Sequence, residues 1–210
     1  MNRHDRDPGR FGMTAPFDTS ATELLVRELN HRVRNNFQII ASLMNLQKRL
    51  LPPERRDDIR FIEEHVQSMA AAYRLVHATG GLVEVPIHEL IFDVADGLRQ
   101  IAAAGTAQLL LAMPTVQGMI NLDRAIAVAL YLAVVLPPYL DRAAASDGTV
   151  RIDGVIEGAQ MRISITENGK EPIAMNFLRG RLMAAYRRQL DAEPAGDDET
   201  GHLLRLPLPR

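Results

Sequence analysis

The sequence predicts an α+β protein in which a helical hairpin, forming a dimeric four-helix bundle, is followed by an α/β sandwich domain. Two long segments between residues 20 and 81 carry apolar residues at helical spacings of three and four. Beyond residue 86 the pattern changes to short alternating strands mixed with helices. We therefore divide the chain into a flexible tail over residues 1–19, a hairpin over 20–81 and a sandwich over 82–210.

The tail and the first helix differ in their periodicity. Residues 1–19 are rich in Arg, Asp, Pro and Gly and have no regular period, which predicts a flexible segment. Ser20 or Thr22 can cap the helix that follows, and we expect this helix to reach about Leu51, before Pro52-Pro53 stops it. Its seam has the four–three alternation of a coiled coil and comprises Leu29, Val33, Asn36, Ile40, Leu43, Gln47 and Leu50.

A second helix is predicted to begin near Pro53 or Glu54 and to end at Gly80-Gly81. The same spacing recurs along it, at Ile59, Ile62, Val66, Met69, Tyr73 and Val76. The short loop between the two helices makes them an antiparallel hairpin. Because one hairpin cannot cover both of its apolar stripes, we expect a homodimer in which two hairpins form a four-helix bundle. Alternatively, the second domain covers the stripe within one chain.

The second domain is predicted to contain antiparallel strands backed by helices on one side. Helices are expected over residues 87–98, 122–144 and 175–190, with Pro137-Pro138 kinking or breaking the middle one. Strands are expected over residues 107–113, 149–156 and 160–166, and the turn Glu157-Gly158-Ala159 joins the last two as a hairpin. Residues 203–208 fit a final edge strand.

Composition narrows the classes of function. A formal net charge of −2 disfavours a nucleic-acid-binding protein, because phosphate binding requires a basic excess. The absence of cysteine excludes disulfide frameworks and cysteine-ligated zinc. No apolar run approaches the ~20 residues that cross a bilayer, and the start has no apolar core of a secretory signal. We therefore expect a cytoplasmic protein that binds neither nucleic acid nor membrane.

One histidine, His31, lies on the polar side of the first helix. Its helical neighbours are Arg27, Glu28, Arg34 and Asn35, with Gln38 one turn further along. Imidazole has an unperturbed pKa of ~6.5, so near neutral pH much of it is uncharged and nucleophilic. Nearby arginines can hydrogen-bond a phosphoryl group. The pattern favours a histidine that carries a phosphoryl group covalently.

The surrounding run closely resembles the phosphoacceptor box of the HisKA_2 type of sensor histidine kinases. Here it reads Glu28-Leu29-Asn30-His31-Arg32-Val33-Arg34-Asn35-Asn36-Phe37-Gln38-Ile39-Ile40, and the family box is roughly Glu-Leu-His-His-Arg-Val-Lys-Asn-Asn-Leu-Gln. The resemblance implies that His31 is the phosphorylated residue. Asn30 replaces the first His of the family pair and Arg34 replaces a lysine, and neither change removes the nucleophile. We expect Asn35 to affect transfer rates, and Arg27, Arg34 and Gln38 to contact a docked receiver.

In such proteins the hairpin dimerises and precedes an ATP-binding domain of the Bergerat (GHKL) type, and Leu122-Asp123-Arg124-Ala125 looks like its Leu-Asp-Arg-Ala element. The family's nucleotide contacts are altered here. No asparagine occurs from Leu122 through Thr166, where the family places its Mg²⁺ ligand. Glu167 replaces the adenine-binding aspartate and Glu171 replaces a glycine of the same loop. The acidic run at 197–199 would repel a triphosphate.

The resemblance and these alterations together imply a degenerate GHKL domain. We therefore expect a histidine phosphotransfer protein in which His31 relays phosphoryl groups between the receiver aspartates of response regulators. The chain itself would bind no cofactor or metal, since the receiver holds the Mg²⁺ for the reaction. Two alternatives stay open: an ATP-dependent histidine kinase with unusual nucleotide contacts, and a non-catalytic dimeric adaptor that binds receivers.

Overall fold

The helical hairpin is present in the computed structural model, which describes residues 19–79, 82–102, 108–112, 118–167, 173–194 and 202–208. Helix α1 (Thr19–Leu50) and helix α2 (Arg56–Arg74) are joined by a 3-10 turn at Pro53–Arg55. Apart from Thr19, the predicted tail lies outside the described residues, as do Gly80 and Gly81. Helix α2 ends at Arg74 rather than at that glycine pair, because the chain enters a strand at His77.

Two sheets and three helices follow the hairpin. The first sheet has three antiparallel strands, β1 (His77–Thr79), β2 (Leu82–Pro86) and β4 (Met119–Asn121), in the order β1-β2-β4. The second has five, β3 (Gln108–Ala112), β5 (Thr149–Glu157), β6 (Gln160–Glu167), β7 (Glu193–Pro194) and β8 (Leu203–Pro207), in the order β3-β5-β6-β8-β7. The helices are α3 (Ile87–Ile101), α4 (Leu122–Ala145) and α5 (Phe177–Gln189).

The larger sheet is mixed, whereas the sequence pattern predicts antiparallel strands. Strand β3 pairs with β5 in parallel, because the long helix α4 connects them and returns the chain to the same end of the sheet. The hairpin of β5 and β6 is confirmed, with Gly158 in its turn at a φ of 64°. Strand β8 is not at the edge, since β7 pairs along its other side. The three-stranded sheet carries too short a pattern to be predicted.

Helix α4 is the centre of one hydrophobic core. Its side chains Tyr131, Leu132, Leu136 and Leu140 are fully buried. The same core includes Ala71 and Ala72 of α2 together with sheet residues from β5, β6 and β8. By length and composition α4 could cross a membrane, but 67% of its apolar window is buried inside the protein. It therefore has the surroundings of a core helix.

Two prolines, Pro137 and Pro138, lie inside α4; of the kink or break that the sequence predicts, the break does not occur. A proline has no N–H to donate to the carbonyl four residues earlier. In α4 the carbonyls of Ala133 and Val134 therefore lack a helical hydrogen-bond donor. The guanidinium of Arg179 on α5 donates to both oxygens, at 3.3 and 2.7 Å. A donor from another helix thus replaces the two missing backbone donors.

Helix α1 turns its predicted seam away from α2. The side that meets α2 contains the buried Asn30 and the half-buried Phe37, whose ring lies 5.5 Å from that of Tyr73. Among the seam residues, Leu29 is 61%, Leu43 60% and Leu50 73% exposed. The second domain packs on α2 through α3 and α4. Of the predicted stripe of α2, Val66 is buried but Ile62 is 51% exposed, so within one chain the second domain leaves part of that stripe and this row of α1 exposed.

Candidate functional site

His31 occupies a solvent-exposed position on α1, apart from both the side that meets α2 and the exposed seam. The amide nitrogen Nδ2 of Asn35, one turn further along, lies 3.4 Å from Nδ1 of the imidazole. The oxygen and nitrogen of an amide are assigned from hydrogen-bond networks. With the amide turned over, Asn35 Oδ1 would accept Nδ1–H and leave Nε2 of His31 unprotonated. Such a ring presents a nucleophilic nitrogen to solvent.

The acidic neighbour of His31 is already paired. Nε of Arg32 lies 2.7 Å from Oε1 of Glu28, and both side chains are exposed. The hydrogen bond and charge of Arg32 lower the pKa of the Glu28 carboxyl from its ordinary value, with a further contribution from His31. Glu28 and Arg32 therefore form an exposed ion pair beside His31, while Arg34 lies on the α2 side.

A groove of about 220 Å³ lies between α1 and α2 on the side of Arg34. Its lining consists of Arg34, Phe37, Gln38, Ala41, Gln67, Ala70 and Arg74. Within the described part of the chain, the Nε atom of Arg34 is buried and has no hydrogen-bond partner. Nη2 of Arg74 lies 3.4 Å from Oδ2 of Asp93 on α3. Two guanidinium groups and two amides thus offer donors to an acidic or phosphoryl group.

The structure brings together four of the five site residues that the sequence predicts. Asn35 contacts His31, Arg34 and Gln38 line the groove, and Gln38 and Asn35 also line a shallow groove along α1 that reaches the seam at Leu43. Arg27 belongs to α1, but its side chain lies outside the described residues. The phosphoacceptor position is therefore flanked by polar side chains on one side and by exposed apolar side chains on the other.

Glu167, the residue that the sequence predicts at the adenine contact, is paired within the second domain. Glu167, the last residue of β6, is fully buried and forms an ion pair with Arg142 of α4. The guanidinium of Arg142 also lies 5.7 Å from the centre of the Tyr139 ring. A buried carboxylate that is paired with an arginine of its own domain is not free to accept from an adenine amino group. Glu171 and the acidic run at 197–199 lie outside the described residues.

The segment of α4 in which the sequence resemblance places a magnesium ligand is apolar. From Ala129 to Leu136 every side chain except that of Leu130 is buried, and the hydroxyl of Tyr131 is the segment's one side-chain oxygen. Mg²⁺ prefers carboxylate, amide and water oxygens. Among the residues that the structure describes, no group of three or more His, Asp or Glu side chains is placed to hold a metal ion.

Sequence reasoning misses a buried polar cluster between the hairpin and the second domain. Glu64 of α2 is 2% exposed and lies 3.0 Å from Nε of Arg60 and 3.2 Å from Nη2 of Arg179. Burial raises the pKa of the Glu64 carboxyl, and the charges of Arg179 and Arg60 oppose that rise. In the sequence Arg60 and Glu64 look like an ordinary surface pair at i,i+4. No signal indicates their burial, because it depends on distant helices.

Comparisons with known proteins agree with the hairpin and with the fold. Residues 28–102 match the family model HisKA_2, described as histidine kinase. The chain is similar to the histidine kinase domain of the EL346 blue-light activated histidine kinase of Erythrobacter litoralis, with 18% identity and a TM-score of 0.54 over 92% of this chain and 95% of that one. A second structure of that kinase matches with 19% identity and a TM-score of 0.55, over 91% of this chain and 64% of that one. No curated protein matches the chain significantly.

The protein therefore has the mixed helix-and-sheet fold of a histidine kinase domain. Its residues 28–102, which match the HisKA_2 family model, contain His31, Asn35 and all of α2 and α3.

Proposed function

We propose that this protein is a histidine phosphotransfer protein of a two-component system, which relays a phosphoryl group between receiver aspartates through His31. One observation carries the proposal: Glu167, at the position of the adenine contact, is buried against Arg142. The carboxylate that would bind ATP thus has a partner inside the domain, whereas His31 is exposed. This contrast favours a phosphoryl donor that comes from solvent.

The reaction requires a nucleophilic ring nitrogen and a phosphorylated partner. Nε2 of neutral His31 attacks the phosphorus of an aspartyl phosphate, the P–O bond to the aspartate breaks, and the carboxylate leaves as the free side chain. With its amide turned over, Asn35 accepts Nδ1–H of the ring through Oδ1, so that Nε2 faces the donor. The reverse step transfers the group to a second receiver. The receiver holds the Mg²⁺ for both steps, and this chain holds no cofactor.

The groove beside His31 supports a docking role for Arg34 and Gln38. Arg34 has a buried Nε atom without a partner in the described residues, and such an atom gains a hydrogen bond when an acidic group of a receiver enters. Arg27 lies one helical turn before His31 and belongs to the same proposed surface. These contacts are expected to position the receiver, while His31 carries out the chemistry.

The proposal includes a homodimer in the cytoplasm. Leu29, Leu43 and Leu50 form an exposed row along α1, and each is more than half exposed. These leucines belong to the predicted seam of α1, whose four–three spacing is that with which helices of a second copy pack. Two hairpins that cover these rows form a four-helix bundle and leave the polar side of His31 open.

The experiment that tests the proposal is transfer from purified, phosphorylated receivers of the same cell. Wild-type protein should gain an acid-labile, base-stable phosphoryl group within seconds to minutes, and His31→Gln should gain none. His88→Gln, which changes a histidine on α3, is the matched control and should behave as wild type. Binding of receivers without transfer to wild type would favour the non-catalytic adaptor.

A second candidate is an ATP-dependent histidine kinase with unusual nucleotide contacts. It is favoured by the match of residues 28–102 to the histidine kinase family and by the fold shared with a histidine kinase domain. Under that function the Glu167–Arg142 pair has to open when nucleotide binds. Labelling by ATP, considered in the Discussion, separates the two candidates.

A further inference from the structure

Four charged side chains join the hairpin to the second domain. They are Arg60 and Glu64 of α2, Asp141 of α4 and Arg179 of α5, and we refer to them as the Arg179 clamp. Nη2 of Arg60 lies 2.6 Å from Oδ1 of Asp141, and Nη2 of Arg179 lies 3.2 Å from Oε2 of Glu64. The side chains of Glu64 and Arg179 are 2% and 16% exposed. A buried charge that loses its partner is strongly destabilising, so the clamp disfavours separation of these helices.

The attachment of Arg179 to α4 follows from the sequence of α4. Pro137 and Pro138 have no N–H, so the carbonyls of Ala133 and Val134 lack their helical donors. Nη1 of Arg179 donates to both oxygens, at 3.3 and 2.7 Å. Because an unsatisfied buried carbonyl is costly, α4 needs a donor from outside the helix at this level.

The start of α5 places Arg179 at that point. Oδ1 of Asn176 accepts the backbone N–H of Arg179 at 2.9 Å, which caps α5 and sets Arg179 in its first turn. The guanidinium also lies 5.3 Å from the centre of the Phe61 ring on α2. One side chain therefore contacts α2 and α4 while its own backbone belongs to α5.

The clamp lies far from His31 along the hairpin. Nζ of Lys48 is 2.8 Å from Oε2 of Glu63, which places Glu64 beside the C-terminal part of α1. Lys48 follows His31 by 17 residues, which is about 25 Å at a rise of 1.5 Å per residue. The clamp thus fixes α4 and α5 near the loop end of the hairpin, whereas His31 lies toward the opposite end.

We infer that the Arg179 clamp holds the hairpin and the second domain as one rigid body, with the C-terminal part of α4 and the start of α5 kept at the level of Glu64. The two prolines of α4 make this arrangement the favoured one, because release of Arg179 leaves two carbonyls and the Oε2 atom of Glu64 without their donors. A phosphoryl group held by α5 has to approach His31 before transfer, and the clamp holds the start of α5 at the level of Glu64. The inference goes beyond the relay reaction and does not depend on transfer from any receiver.

A double-mutant cycle tests the link between Arg179 and the prolines. Arg179→Met should lower the melting temperature by about 5 °C or more, since it leaves buried groups unpaired. In the Pro137→Ala/Pro138→Ala background, the new backbone N–H groups donate to the carbonyls of Ala133 and Val134. Arg179→Met should therefore lower the melting temperature clearly less than it does in the wild-type background. Arg181→Met changes an exposed arginine of the same helix and should shift the melting temperature by no more than about 2 °C. Additive effects of Arg179 and the prolines would contradict the link.

The chain has no cysteine, so pairs of spin labels can be introduced at single new cysteines to measure rigidity. Labels at Asp58 of α2 and Thr166 of β6 are both at exposed positions, and excess unlabelled protein restricts the measurement to one chain. We expect one narrow distance distribution in the wild-type background and in Arg181→Met, and a broadened or displaced one in Arg179→Met. A folded Arg179→Met protein that keeps the narrow distribution would overturn the inference.

Glu64→Gln keeps the measurement informative if Arg179→Met does not fold. It preserves the shape of the side chain but removes the charge that holds Arg179 and Arg60. A broadened distribution, together with a lower melting temperature, is the expected result. An unchanged distribution with an unchanged melting temperature would show that the clamp does not hold the two parts together.

Discussion

The surface around His31 and the interior around Glu167 belong to the same fold but treat their polar groups in opposite ways. His31 is exposed, Asn35 lies against it, and Arg34 has a buried donor atom without a partner in the described residues. Glu167 is fully buried and paired with Arg142. The first region exposes His31 to other molecules, whereas the second uses the Glu167 carboxylate in an ion pair within the protein. The surface around His31 is therefore available for reaction, whereas the interior around Glu167 is closed; we refer to these as the exposed region and the closed region.

The largest expected effect comes from removing the charge of Glu167 in the closed region. Glu167→Gln leaves Arg142 without its charged partner and should lower the free energy of unfolding by about 3–5 kcal/mol. Urea unfolding followed by circular dichroism measures this change. Glu157→Gln removes one partner of an exposed pair with Arg162 and should cost less than about 1 kcal/mol. Equal effects of the two substitutions would remove the distinction between the two regions.

The next effect concerns the apolar row beside the His31 surface. Leu43→Glu places a charge in the proposed bundle interface, and the loss of two leucines, each 60% exposed in the single chain, removes about 2–4 kcal/mol of association free energy. Size-exclusion chromatography with light scattering should find wild type as a dimer and Leu43→Glu as a monomer. Asn45→Glu, on another side of α1, should leave the dimer intact. A monomeric wild-type protein at micromolar concentration would contradict the proposed bundle.

A smaller effect is expected at the reactive surface itself. Asn35→Ala removes the side chain that orients His31, and the rate of phosphoryl transfer should fall by about tenfold, which is about 1.4 kcal/mol. Rapid-quench measurement with a phosphorylated receiver gives the rate, and Asn45→Ala is the matched control on the same helix. Complete loss of transfer in a folded Asn35→Ala protein would mean that Asn35 does more than orient the ring.

The smallest effect is a pH dependence of the free energy of unfolding that arises from His65. Burial lowers the pKa of His65 on α2, against the opposing effect of its 2.8 Å contact with the Phe61 carbonyl. As the pH falls, His65 therefore binds a proton in the unfolded chain before it does so in the folded protein. The contribution of His65 to the free energy of unfolding is full above about pH 7 and is lost as the pH drops through the lowered folded pKa. The loss should be below about 1 kcal/mol at pH 6. Urea unfolding from pH 8 to 5 should show a smaller loss for His65→Gln, and an equal loss would exclude His65 as its source.

The sequence predicts the exposed region better than the closed one, for a physical reason. The helices, the hairpin of β5 and β6 and the polar position of His31 depend on local periodicity, which a sequence displays directly. The pairing of Glu167 with Arg142, and of Glu64 with Arg179, joins residues that are 25 and 115 apart in the chain. Nothing local to Glu167 indicates that its carboxylate is used internally.

The unbroken course of α4 illustrates the same limit. Pro137 and Pro138 favour a break when α4 is considered alone, and they are tolerated because Arg179 supplies the donors from another helix. Similarly, the parallel pairing of β3 follows from the path of α4 and not from the residues of β3. Tertiary partners decide these features, so local patterns cannot predict them.

The measurement that tests the central claim most directly is incubation with labelled ATP and Mg²⁺, in parallel with a labelled, phosphorylated receiver. The proposed function predicts that His31 is labelled by the receiver and not by ATP, and that His31→Gln is labelled by neither. Stable labelling of His31 by ATP alone, absent in His31→Gln, would contradict the proposal and establish the kinase function instead.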